Sequence, residues 1–178
     1  MRSSIVKLFL LVLLLAGCTP ASYKMTGQQR YALAHALGSL DPHIPAKEAE
    51  RLALELQHTA EALNRQFERT TDPKFHNFLI NVGLKEKGLC YHYCDALYLH
   101  VNKEHYPHFD FHLAGANIGS FWREHNALVV TARGEPVSKG IVIDAWRDPQ
   151  KLYFSKVNED TAYHWIHRPE RECCQKGR

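Results

Sequence analysis

The spacing of apolar residues changes once along this chain, near Pro107, from steps of three and four to alternation and short apolar runs. The clearest segment lies before the change. Ala49, Leu52, Ala53, Leu56, Ala60, Leu63 and Phe67 form one stripe, with Glu48, Glu50, Arg51, Glu55, Glu61, Arg65 and Glu68 between them. That interval predicts a helix over 46–68 packed on one face, with Pro45 before it in the place proline favours at a helix start. QQRYALAHALGSL predicts an earlier helix, stopped by DPHIP. Cys90, Cys94, Leu97 and Val101 share one face of a further helix over 89–104. Past Pro107, FDFHLAGANIG, HNALVVTA, GIVIDAW and LYFSKV read as strands, with ARGEPVSKG as a hairpin loop. Helices first and strands second predict an α+β domain, its N-terminal helices packed against an antiparallel sheet.

The N-terminus changes the picture of where the domain works. MRSSIVK supplies positive charge and LFLLVLLLAG an apolar run too short to span a bilayer comfortably, ending in small residues. This is the build of a secretory signal over 1–17. LAGC, ending at Cys18, resembles the lipobox of bacterial lipoproteins. The resemblance implies lipidation of Cys18 and anchoring to an envelope membrane. The residues after it read as a tether over 18–27, and the length of the rest suits a single domain over 28–178. Thr19 follows the cysteine, which by resemblance to Gram-negative sorting favours the outer membrane, facing the periplasm.

Charge excludes one class. The chain holds 22 Lys and Arg against 19 Asp and Glu. Removing Arg2 and Lys7 with the signal leaves it close to neutral, with no basic stripe to grip nucleic acid. Four cysteines remain beyond Cys18. Cys90 and Cys94 lie one helical turn apart and Cys173 and Cys174 are adjacent, so any bridge is expected between mid-chain and tail.

Three features align in chain order: KGLCYHY, REHNALVV and GIVIDAWRD. The first is a Gly-x-Cys entering a helix, the second a His entering an apolar strand, the third an Asp ending the next strand. A thiolate is the attacking species, and both a helix N-terminus and an imidazolium stabilise it. The imidazole returns a proton to the leaving group, and a carboxylate fixes its tautomer. Adjacent antiparallel strands carrying His125 and Asp144 would set those side chains beside each other. Taken singly, Cys90 could be a buried core cysteine, His125 a strand cap and Asp144 the start of a turn.

Over about residues 81–157 these motifs resemble the transglutaminase-like superfamily: Gly88-Leu89-Cys90 with Tyr93, His125 before Ala127-Leu128-Val129-Val130, and Asp144 before Ala145-Trp146. The order is shared with papain-like proteases, but the short stretch from Cys90 to His125 fits the compact transglutaminase-like core better. The resemblance implies an acyl-enzyme mechanism on a peptide or amide carbonyl, with Cys90 as nucleophile, His125 as base and acid, and Asp144 orienting it. The Cys90 backbone N–H would be one oxyanion donor, and Asn81 is a candidate for the second. It implies a hydrolase, or an acyltransferase on the same triad, without cofactor or metal.

Two rival classes stay open. His100, His105, His108 and His112, with Cys90, His92 and Cys94 upstream, could bind zinc or copper. Their spacing matches no ligand set, and alternation in HFDFHL reads better as a half-exposed strand. A partner-binding lipoprotein would keep the fold without the triad geometry. Distance discriminates: a catalytic thiol and imidazole must lie close, and a metal site must gather several ligands at one point.

Overall fold

The computed structural model describes residues 24–169, apart from Phe121 and Pro149. Cys18, Cys173 and Cys174 therefore lie outside the described residues, as do the signal and most of the tether.

Among the described residues are four α-helices: α1 (Gly27–Gly38), α2 (Ala46–Gln66), α3 (Pro73–Asn81) and α4 (Cys90–Val101). Five strands follow: β1 (Phe109–Ala116), β2 (His125–Ala132), β3 (Ile141–Asp144), β4 (Tyr153–Lys156) and β5 (Ile166–His167). They form one antiparallel sheet in the order β4-β3-β2-β1-β5. The α+β class expected from the pattern is the one observed.

Local chemistry sets the helix boundaries. Thr26 and Gln29 form a reciprocal capping box at α1, satisfying donors that a helix start leaves free. Asp72 caps α3 through the N–H groups of Lys74 and Phe75, with Pro73 opening the helix. The hydrophobic pattern did not predict α3, a helix of 9 residues whose exposed Phe75 and Phe78 blur its apolar face. α2 closes at Gln66, two residues before the expected end, where Glu68 takes φ 46° and the chain reverses.

The layers follow from the stripes. α1 lies against α2, α2 against α4, and α4 against β1, β2 and β3. Leu33, Leu52, Leu56, Leu97, Leu128, Val130 and Ile143 join this helix–sheet core. The other sheet face, with Ala114, Ala127, Val129 and Val142, is covered by Val157 and Trp165 of the C-terminal segment. β2 is therefore buried on both sides, which explains why its central run, Ala127 to Val130, is continuously apolar rather than alternating.

Candidate active site

Cys90 is placed by the loop before it. Gly88 has φ 120°, and a Cβ there would lie 2.2 Å from His76 Nε2, so only glycine fits. The His76 ring is buried beneath the loop. Its Nδ1 accepts from the Thr70 N–H at 3.3 Å, and its Nε2 donates to the Lys87 carbonyl at 3.0 Å. Burial holds its pKa below the usual histidine value, against the Lys87 bond and with help from Lys85 and Arg69. His92 reaches back so that Nδ1 accepts from the Gly88 and Leu89 N–H groups at 3.1 and 3.2 Å. His92 therefore caps the start of the helix. Cys90 is thus the first residue of α4, half-buried, with its backbone N–H among those without an intrahelical acceptor. Cys94, one turn on, is buried against the core.

Register places the other two residues. β2 and β3 pair Leu128 with Ile143 and Val129 with Val142. Continuing that register sets Asp144 opposite Ala127, so His125 and Asp144 are diagonal neighbours on one face. His125 Nε2 lies 2.6 Å from Asp144 Oδ2, and both residues are 2 % exposed. Cys90 Sγ lies 4.0 Å from the Glu124 carbonyl and 4.0 Å from Asn126 Nδ2, the neighbours of His125 in the chain. The thiol is a further hydrogen-bond partner of the imidazole, whose Nδ1 is not taken by Asp144. Trp146, Tyr163 and Trp165 enclose the imidazole at centroid distances of 4.9, 4.5 and 5.5 Å.

Asp144 is fully occupied. Oδ1 accepts from the backbone N–H groups of Trp146 and Arg147, and Oδ2 accepts from Arg147 Nε at 3.0 Å as well as from His125. Arg147 is held in turn by a bidentate pair with Asp160, at 3.1 and 2.7 Å, and lies over the Tyr153 ring. Burial opposes a charged imidazole and a charged carboxylate alike, but their mutual attraction and hydrogen bond prevail. With the Cys90 thiol contributing, His125 is raised to about 9, while Asp144 is held below the usual carboxylate range.

Several participants were not read from the sequence. Arg69 is 2 % exposed and follows α2. Its guanidinium donates to the carbonyls of Ala145 at 2.6 Å, Asp148 at 3.3 Å and Trp146, fixing the turn after Asp144. Trp146 Nε1 donates to Asn77 Oδ1 at 3.3 Å, which ties α3 to the site. Arg147 could have been suspected three residues after Asp144; Arg69 and Asp160 carry no sequence signal. Asn81 is exposed at the end of α3, and no hydrogen bond joins it to Cys90. Asn126 lies closer, with Nδ2 4.0 Å from Cys90 Sγ.

The rival metal cluster does not gather: among the described residues no group of three or more His, Cys, Asp or Glu side chains could hold an ion. His100 and His108 instead pair with Glu55 and Glu48 on α2, and His112 bonds Thr131.

Comparison with known proteins gave no match to a family model, to a curated protein or to a solved structure. The transglutaminase-like resemblance therefore rests on the three sequence motifs alone.

Proposed function

We propose that this protein is a cysteine hydrolase with a transglutaminase-like core, acting on amide or ester bonds of peptides at a bacterial envelope membrane to which Cys18 anchors it. One observation carries the reading: a buried His125–Asp144 pair at 2.6 Å has as a further partner the thiol of Cys90, which opens a helix and lies 4.0 Å from groups of the residues on either side of His125. In a purely structural role, a charged pair buried this deeply is expensive, and neither partner would need a nucleophile as its neighbour.

The chemistry follows from the donors and acceptors present. The Cys90 thiolate attacks the carbonyl carbon, and the carbonyl oxygen becomes an oxyanion near the Cys90 N–H. His125 passes its proton to the leaving amine or alkoxide as the C–N or C–O bond breaks, leaving a thioester on Cys90. Water then attacks the thioester while His125 takes its proton. Collapse releases the acid, and the proton returns to the thiolate–imidazole pair. Asp144 keeps Nε2 protonated throughout, so that Nδ1 faces the reacting atoms.

The test is alkylation of the full chain in detergent by iodoacetamide from pH 4 to 9, read by mass spectrometry, beside His125→Ala. Fast labelling of Cys90 well below the ordinary thiol value of about 8.5, slowed in His125→Ala, supports the pair. An inert Cys90 in folded protein ends the enzyme reading and leaves a partner-binding lipoprotein. Adding hydroxylamine to an ester-loaded enzyme then separates transfer to an amine from hydrolysis.

A further inference from the structure

The mechanism needs a second oxyanion donor, and the structure offers one that chain order did not suggest. Asn126 follows His125 on β2 and is 3 % exposed. The thiol sits at the entry of β2, 4.0 Å from the carbonyl of Glu124 just before His125, and Asn126 faces it from the residue just after. Its Nδ2 approaches Cys90 Sγ to 4.0 Å. A tetrahedral oxyanion on that sulfur's acyl carbon lies about 3 Å from the sulfur, within reach of a donor so placed.

The orientation of the amide is chemically fixed. Asn126 Oδ1 accepts from Arg168 Nη1 at 3.2 Å. A guanidinium only donates, so the oxygen must face Arg168 and the NH2 must face the cysteine. Arg168 is itself constrained. Its backbone N–H bonds the Leu113 carbonyl at 2.8 Å, and its guanidinium pairs with Glu124. Room for it comes from Gly115, opposite Asn126 on β1, where a Cβ would meet Arg168 Cδ at 3.3 Å. Glu124 also accepts from the Gly119 N–H at 2.9 Å. Burial pushes its pKa up, but the bonds from Arg168, Gly119 and Asn126 hold it lowered.

We infer that Asn126, locked in one orientation by Arg168, donates the second hydrogen bond to the oxyanion formed on Cys90. This rests on the hydrolase reading above, and it assigns Asn126 a catalytic role and Arg168 a positioning role.

The experiment separates transition-state stabilisation from thiol reactivity. Acylation of Cys90 in the full chain by p-nitrophenyl acetate builds an oxyanion; alkylation by iodoacetamide does not. Asn126→Ala and the similar-sized, uncharged Asn126→Leu should lower acylation by about 10²–10³-fold and leave alkylation within about threefold. Arg168→Met, which keeps Asn126 but removes the donor that holds its amide oxygen, should lower acylation by about tenfold with alkylation again unchanged. Equal losses in both reactions, or no loss in acylation, would overturn the assignment. Thermal melting identifies a variant that has failed to fold, and Arg168→Met then decides alone. If wild-type Cys90 reacts with neither reagent faster than a free thiol, it is the hydrolase reading that fails, and the inference falls with it.

Discussion

Asp144→Asn removes one charge from the site and changes almost nothing in volume, so its effect can be worked from the contacts. The difference between the ordinary histidine value of 6.5 and about 9 corresponds to about 3 kcal/mol in favour of the imidazolium at His125. Burial is the largest influence on this residue and acts the other way, so the carboxylate is what overcomes it. Without the charge, burial is left facing only the neighbouring thiol, and the midpoint should fall by at least about two pH units. Tautomer changes too. In Asp144→Asn the side-chain oxygen stays with the N–H groups of Trp146 and Arg147, so the NH2 turns toward His125 Nε2. A donor there makes Nε2 the lone-pair nitrogen and puts the proton on Nδ1, the wrong side for accepting one from Cys90. Acyl transfer at pH 7.5 should drop by about 10³–10⁴-fold.

The assay is a ¹⁵N imidazole titration with His125 assigned by its loss in His125→Gln. It is run in a Cys90→Ala background so that the midpoint belongs to one group rather than a coupled pair. Folding stability gives an independent reading of sign. A raised His125 contributes stability that is complete below pH 6.5 and fades as pH climbs toward about 9. The lowered Asp144 contributes stability complete above its ordinary 3.8 and lost as pH falls toward about 2. These are two ends of one interaction and are not summed. Urea midpoints should therefore peak between about pH 4 and 6.5 by this contribution, and Asp144→Asn should flatten that peak. A His125 midpoint unchanged within half a pH unit in Asp144→Asn would refute the reasoning.

Other perturbations probe how the site is held. Gly88→Ala must force its Cβ against the buried His76 ring at a φ that side chains avoid; a loss of about 2–4 kcal/mol in urea unfolding is expected, with slower Cys90 alkylation in whatever remains folded. Arg69→Met strips the donors from three carbonyls after Asp144 and should cost about 3 kcal/mol by the same measurement. Arg147→Met breaks the Asp144–Arg147–Asp160 bridge; the His125 imidazole midpoint should rise, because Asp144 loses a competing cation, and a fall would contradict this account.

The layers of this fold were readable because they rest on periodicity. The α2 stripe and the strand-like character of HNALVVTA are burial patterns, and burial is what composition records most directly. The proximity of His125 and Asp144 was readable as well, since adjacent antiparallel strands permit few alternatives. What escaped was contact across elements. Arg69 bonds backbone carbonyls 76 and more positions away, and carbonyls have no side-chain identity for a sequence to reveal. Asn81, nine residues before the helix, was offered as a donor on chain position alone; Asn126 reaches the thiol because β2 begins beside the start of α4. α3 and the two-residue β5 were missed for a related reason, as neither buries enough of its own apolar surface to leave a pattern.

Placement of the site explains how a small domain can fix these residues closely while leaving the thiol half-exposed. Each is held by a different part of the fold. Cys90 is set by the His76–Gly88–His92 junction, His125 and Asp144 by sheet register, and Asn126 by Arg168 of the C-terminal segment, itself paired with Glu124. Arg69 then ties the end of α2 to the turn after Asp144, so the helical layer cannot shift against the sheet without breaking bonds to buried carbonyls. An enzyme that must present the same donors to a developing charge gains from this arrangement, because little reorganisation is left for the moment of reaction. A protein that only docked a partner would gain nothing from a buried ion pair aimed at a thiol. Fast alkylation of Cys90 below the ordinary thiol range, slowed when His125 is removed, is therefore the result on which the enzymatic reading most depends.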